Sequence, residues 1–129
     1  MNGRVLLDAN FIVAIFRQDS AAHAALLAAG RIFVPSIVLG ELYFGAEKSG
    51  RQKENMARID RFAAVNEVLL PDVESARNYG AIREGLRRKG RPIPDNDIWV
   101  AAIARQHDLT LMTRDAHFQE IEGLSVESW

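Results

Sequence analysis

Val5-Leu6-Leu7-Asp8-Ala9-Asn10 is the stretch on which the fold turns. Three consecutive apolar residues are halted by an acid, and a second apolar run, Phe11 to Phe16, follows at once. A short, unalternating apolar run fits a strand buried on both faces, and the segment after Asn10 fits a helix. Asp8 therefore falls where a buried strand stops.

The same punctuation recurs outward from this point. Ser20 is a candidate N-cap for a helix over Ala21 to Ala29, with Gly30 as its stop signal. Ile32 to Val34 is a second strand, broken by Pro35, and Ser36 can cap an apolar helix in which Glu41 is the one acid. A polar helix from about Gln52 to Ala64 precedes a third strand over Val68 to Leu70, and Asp72 can cap a helix reaching about Lys89. Gly90 to Pro94 cannot continue that helix, because proline lacks a backbone donor and restricts its predecessor. Asp95, Asn96 and Asp97 then cap and open a helix with a buried body, Leu109 to Thr113 is a strand with Asp115 just past its end, and Leu124 to Val126 is a last strand. Strands alternating with helices predict an α/β fold: a mainly parallel sheet of four to five short strands flanked by helices, in one domain over residues 1–129.

Composition narrows the function classes. A chain of 129 residues with 48% hydrophobic content builds one core, and 26% charge without low-complexity tracts or repeats argues against disorder and solenoids. Cysteine is absent, so a metal would have to use oxygen or imidazole ligands. The run Phe11 to Phe16 is far shorter than the roughly 18 apolar residues of a membrane span, and no leader pattern opens the chain; a soluble, cytoplasmic protein is expected. The formal charge of −1 is no bar to nucleic acid, since with four acids answered by metal it becomes +3.

Those four acids are Asp8, Glu41, Asp97 and Asp115. Each borders an apolar element, and in open parallel sheets ligands bind beyond the carboxyl ends of strands, where Asp8 and Asp115 fall. Taken singly, each fits a capping or turn acid. Brought together, unit charges about 4 Å apart repel by roughly 4 kcal/mol at an effective dielectric of 20. A divalent cation removes that repulsion, and oxygen ligands without thiolates favour Mg²⁺ or Mn²⁺ over zinc. Such centres activate water for in-line attack on phosphodiesters. The three histidines, His23, His107 and His117, lack ligand spacing and are expected at the surface or at caps.

Four blocks, in order across nearly the whole chain, resemble the PIN-domain family and, within it, the VapC-type toxins of toxin–antitoxin pairs. They are Leu6-Leu7-Asp8-Ala9-Asn10, Gly40-Glu41-Leu42-Tyr43-Phe44-Gly45, Pro94-Asp95-Asn96-Asp97-Ile98-Trp99-Val100-Ala101-Ala102 and Leu111-Met112-Thr113-Arg114-Asp115-Ala116-His117-Phe118. The resemblance implies an endoribonuclease in which Asp8, Glu41, Asp97 and Asp115 are catalytic and bind Mg²⁺ or Mn²⁺. It also implies that Asp95 and Asn10 support the site and that Thr113 orients a water or a carboxylate. A homodimer and a small cognate antitoxin covering the acidic pocket are implied in the same way. One departure is Ala9, where the family commonly carries a hydroxyl residue.

Arg77, Arg83, Arg87, Arg88, Lys89 and Arg91 gather on the helix and loop that lead to Asp95. Arg83, Arg87, Arg88 and Arg91 are candidate RNA-phosphate contacts, although last-turn cations also suit a helix dipole. Single-stranded RNA loops expose bases and backbone to a shallow site. Trp99 and Trp129 are read as packing residues. Two rival readings differ in what they require. A phosphoacceptor receiver domain wants paired acids after its first strand and a lysine after its last, whereas Ala9-Asn10 follow Asp8 and no lysine follows Lys89. A non-catalytic RNA- or partner-binding module would have no use for all four acids.

Overall fold

The computed structural model describes residues 3–129; Met1 and Asn2, which open the domain expected over 1–129, lie outside the described residues. Strands β1 (Arg4–Leu7), β2 (Arg31–Pro35), β3 (Glu67–Leu69), β4 (Thr110–Met112) and β5 (Val126–Glu127) form one sheet in the order β3-β2-β1-β4-β5. Every pairing is parallel, with Leu6 opposite Phe33 on one side of β1 and Leu7 opposite Met112 on the other. As the middle strand, β1 has both faces inside the protein, and Val5, Leu6 and Leu7 are all buried.

Helices α1 (Ala9–Phe16), α2 (Ser20–Ala28), α3 (Ser36–Glu47), α4 (Gln52–Val65), α5 (Val73–Lys89) and α6 (Asp95–Gln106) join these strands, and a 3₁₀ turn spans Ala116–Glu120. The chain winds from β1 to β2 to β3 on one side, after which α5 and α6 carry it back to β4 on the opposite side of β1. Winding direction therefore reverses between β1 and β4. At such a switch point the connections leave in opposite directions and open a crevice beyond the strands' carboxyl ends. The core is one continuous cluster, with Phe11 and Ile12 of α1, Val38 of α3 and Ile98, Val100 and Ile103 of α6 packed with the strands. Ala101, Ala102 and Ala104 are buried as well; side chains this small let α6 lie close against its neighbours.

Several helix starts differ from expectation by one residue, the cap position falling on the preceding neighbour. Asp19, not Ser20, caps α2, its carboxylate accepting from the backbone N–H groups of Ala21 and Ala22. Ser36 is the first residue of α3, and Pro35 occupies the cap position without a side-chain bond. Pro94 does the same for α6, where its carbonyl accepts from the N–H groups of Asp97 and Ile98. The acids from Asp95 to Asp97 thus sit in the first turn without being consumed as caps. Asp72 does cap α5, reciprocally with Ser75, and Gly90 closes that helix at φ 67°, a left-handed conformation that glycine adopts without penalty. The last strand begins at Val126 rather than Leu124, and β3 ends at Leu69, leaving Leu70 exposed. Among the described residues, no single helix is long and apolar enough to cross a membrane.

Candidate active site

Asp8 leaves β1 beside Thr113, which leaves β4, because the register that puts Leu7 opposite Met112 carries one residue further. The Asp8 backbone N–H donates to the Met112 carbonyl at 3.2 Å. In the side chains, Thr113 Oγ1 donates to Asp8 Oδ2 at 2.6 Å, while Asp8 Oδ1 accepts from the Ala9 N–H at 2.8 Å. Thr113 Oγ1 also accepts from the Asp115 N–H at 3.0 Å. One buried hydroxyl therefore ties the first acid to the backbone of the last.

Glu41 comes from α3 and Asp97 from the first turn of α6, and both carboxylates reach the same crevice. Burial pushes the Asp97 pKa up to about 6, with the charges of Asp8, Asp115 and Glu41 adding to the rise and the His117 contact opposing it. Burial likewise raises Asp8, with Asp115 adding and the Thr113 and Ala9 bonds opposing. Glu41 is raised by burial and by Asp8, against a stabilising bond from Asn96. These mutual influences join all four acids into one electrostatic unit. The structure thus brings Asp8, Glu41, Asp97 and Asp115 together from four separate elements.

Two features bear on what this crevice could hold. Glu41 Oε1 is buried and has no hydrogen-bond partner among the described residues, a costly state for a carboxylate oxygen. In addition, single donor atoms of Asp97, Asp115 and His117 lie within 4.8 Å of one another, close enough for one ion. The donor set is carboxylate-rich and includes imidazole, which fits a hard or borderline divalent cation.

The remaining candidates fall at or outside this crevice. Asp95 is exposed and turned toward α5, accepting from Tyr79 Oη and, at 3.3 Å, from Arg83 Nη1. Asn10 is exposed on the first turn of α1. The basic arm is not a free positive surface: Arg83 pairs with Asp95, Arg87 and Arg88 share Glu84, and Arg77 pairs with Glu74. A groove of about 740 Å³ between α5 and α6 is lined by Arg83, Arg87, Ile93 and Asp95 and contains none of the four acids. A second groove, of about 410 Å³, runs between α1, α3 and α4 and does reach Glu41, with Arg17 and Arg58 on its walls. Trp99 stacks on Tyr79 at 4.3 Å, and Trp129 packs edge-on against Phe11 beneath Arg114.

Two residues that the sequence did not single out stand beside these acids. His117, expected at the surface or at a cap, is half-exposed, yet its Nδ1 lies 3.1 Å from Asp115 Oδ1 and 3.4 Å from Asp97 Oδ2. The available signal was local: Asp115 caps the 3₁₀ turn through the His117 N–H, and that cap folds the imidazole back over the acid two positions earlier. Asn96, wedged between two acids in the sequence, offsets part of the rise in the Glu41 pKa.

Residues 5–124 match the PIN domain family model. The chain is 33% identical to the tRNA(fMet)-specific endonuclease VapC of Shigella flexneri and 31% identical to ribonuclease VapC2 of Haemophilus influenzae, covering 98% of each chain in both cases. Among solved structures, it resembles a chain of VapBC2 from Rickettsia felis bound to a promoter DNA fragment, with TM-score 0.90, 30% identity, and 97% and 98% of the two chains covered. It also resembles a chain of DNA-bound VapBC from Salmonella typhimurium, with TM-score 0.88, 33% identity and 98% of both chains covered.

Proposed function

The chain belongs to the PIN domain family, and from that premise we propose a metal-dependent endoribonuclease, the toxin of a VapBC-like toxin–antitoxin pair, whose active site is Asp8, Glu41, Asp97 and Asp115. The observation that carries the site assignment is the convergence of these acids at the switch point, with Glu41 Oε1 left without a partner. Mg²⁺ or Mn²⁺ is the cofactor we assign, held by the four carboxylates. When bound, the ion lowers the pKa of a coordinated water and neutralises charge on the phosphodiester.

The protein's own groups supply the rest. Thr113 fixes the Asp8 carboxylate and, through the Asp115 N–H, the turn that carries Asp115. Asn96 favours the charged form of Glu41, whose Oε1 has no partner among the described residues. In the metal-free protein the Asp97 carboxyl, raised to about 6, is half-protonated near that pH, so below it protons compete with an ion for this group. Asp95 supports the site indirectly, by anchoring Tyr79 and Arg83 at the start of α6. Asn10 lies at the rim as a polar neighbour of Asp8, and Arg83, Arg87, Arg88 and Arg91 offer phosphate contacts along α5 and its loop, weakened for Arg83 by its ion pair with Asp95 and for Arg87 and Arg88 by theirs with Glu84.

The substrate is RNA, encountered in the cytoplasm; the VapC relatives make transfer RNA the first class to test. The protein partner is a cognate antitoxin that covers the acidic crevice, and a homodimer is the assembly we assign. Purified protein incubated with total tRNA plus Mg²⁺ or Mn²⁺ is expected to cut, and Asp8→Asn is expected to be inactive. Equal cleavage by both would place the activity in a contaminant and end this reading.

A further inference from the structure

We propose that His117 is a metal-selecting ligand, completing with Asp97 and Asp115 a mixed imidazole–carboxylate position that prefers Mn²⁺ to Mg²⁺. The proposal rests on the metal-dependent reading above and deepens it. His117 Nδ1 stands 3.1 Å from Asp115 Oδ1 and 3.4 Å from Asp97 Oδ2. Adjacent ligands around an ion bound at about 2.1 Å are separated by roughly 3.0 Å in octahedral geometry, so the spacing that serves these polar contacts in the metal-free protein also matches the edges of a coordination shell.

The ring is also held in place. Its backbone N–H donates to Asp115 Oδ1 at 2.9 Å within the 3₁₀ turn, and Phe118, the next residue, is fully buried and anchors that turn in the core. Imidazole nitrogen is a poor ligand for Mg²⁺; Mn²⁺, though the weakest binder of the first-row divalent ions and at home among oxygen ligands, accepts it more readily than Mg²⁺ does, and carboxylates serve both. The oxygen-only side of the crevice, at Asp8 and Glu41, does not discriminate; the side carrying His117 does. A His117 that merely screened the two carboxylates would instead be displaced when an ion entered.

The test uses Mn²⁺ itself as probe, read by electron paramagnetic resonance on the full chain without RNA. In the wild type, bound Mn²⁺ is expected to show nitrogen coupling in pulsed spectra and to resist Mg²⁺ competition. His117→Gln keeps a polar contact with both acids but offers no ring nitrogen. It is expected to lose the coupling and roughly 10-fold in Mn²⁺ affinity, with Mg²⁺ affinity unchanged. His117→Ala should match it, and His107→Ala, with its imidazole at the far end of α6, should behave as wild type. Tight Mn²⁺ binding without nitrogen coupling, or a His117→Gln protein with undiminished Mn²⁺ preference, overturns the ligand assignment and leaves the nuclease reading standing. Absence of Mn²⁺ binding in the wild type overturns both.

Discussion

Replacing Asp97 by asparagine should make the metal-free protein more stable while disabling it. Asp97 is 8% exposed, and its pKa stands at about 6 against an ordinary 3.8. A shift of roughly 2 units corresponds to roughly 3 kcal/mol of disfavour for the charged form in the folded state. The sign follows from proton binding. Between these two pKa values the folded protein holds the proton and the unfolded chain does not, so stability falls as pH rises through that window and stays low above it. Asparagine removes the charge but still buries an amide, which reduces the expected gain to about 2 kcal/mol near pH 7. For a domain of this size that is roughly 8 °C in Tm. The assay is thermal or urea denaturation of wild type and Asp97→Asn in chelator, near pH 7.5 and near pH 4. The variant should be the more stable at the higher pH, with the difference shrinking toward zero at the lower. A variant no more stable than wild type, or a difference independent of pH, would refute the claim that burial and mutual repulsion strain this group.

Other expectations follow from single contacts. Thr113→Val deletes the hydroxyl that donates to Asp8 and accepts from the Asp115 N–H; it should cost about 1–2 kcal/mol in chelator and weaken Mn²⁺ binding 10- to 100-fold by calorimetry. Metal affinity should fall steeply below about pH 6, because protons then compete for Asp97, and a titration flat from pH 5 to 8 would speak against its ligation. Asp95→Asn, whose carboxylate engages Tyr79 and Arg83 rather than the crevice, should change cleavage rate by less than about threefold while shifting stability by under 1 kcal/mol, as exposed ion pairs do.

Much of this architecture was legible because burial writes itself into short apolar runs. The run at Val5 to Leu7 announced a central parallel strand, and the acids beyond it and beyond Thr110–Met112 announced the crevice, since both follow from which residues a sheet buries. Less legible was anything decided between elements. Asp19 displaced Ser20 as a cap by one residue, and Pro94 took the cap position from acids that the sequence favours more strongly; backbone geometry arbitrates such choices. The ion pairs of the basic arm were not read from the sequence because pairing along a helix depends on rotamers, and Glu84 reaches Arg87 and Arg88 in the folded protein. His117 was hidden because its approach to Asp97 spans 20 positions and arises only once the 3₁₀ turn packs against α6.

The central claim is that four distant acids form one divalent-cation centre. Crystals soaked in Mn²⁺ and measured for anomalous scattering test it directly. A peak enclosed by the carboxylates of Asp8, Glu41, Asp97 and Asp115 is the result this account expects. A map with no peak there, or with Mn²⁺ held only at surface acids such as Glu84, would contradict it.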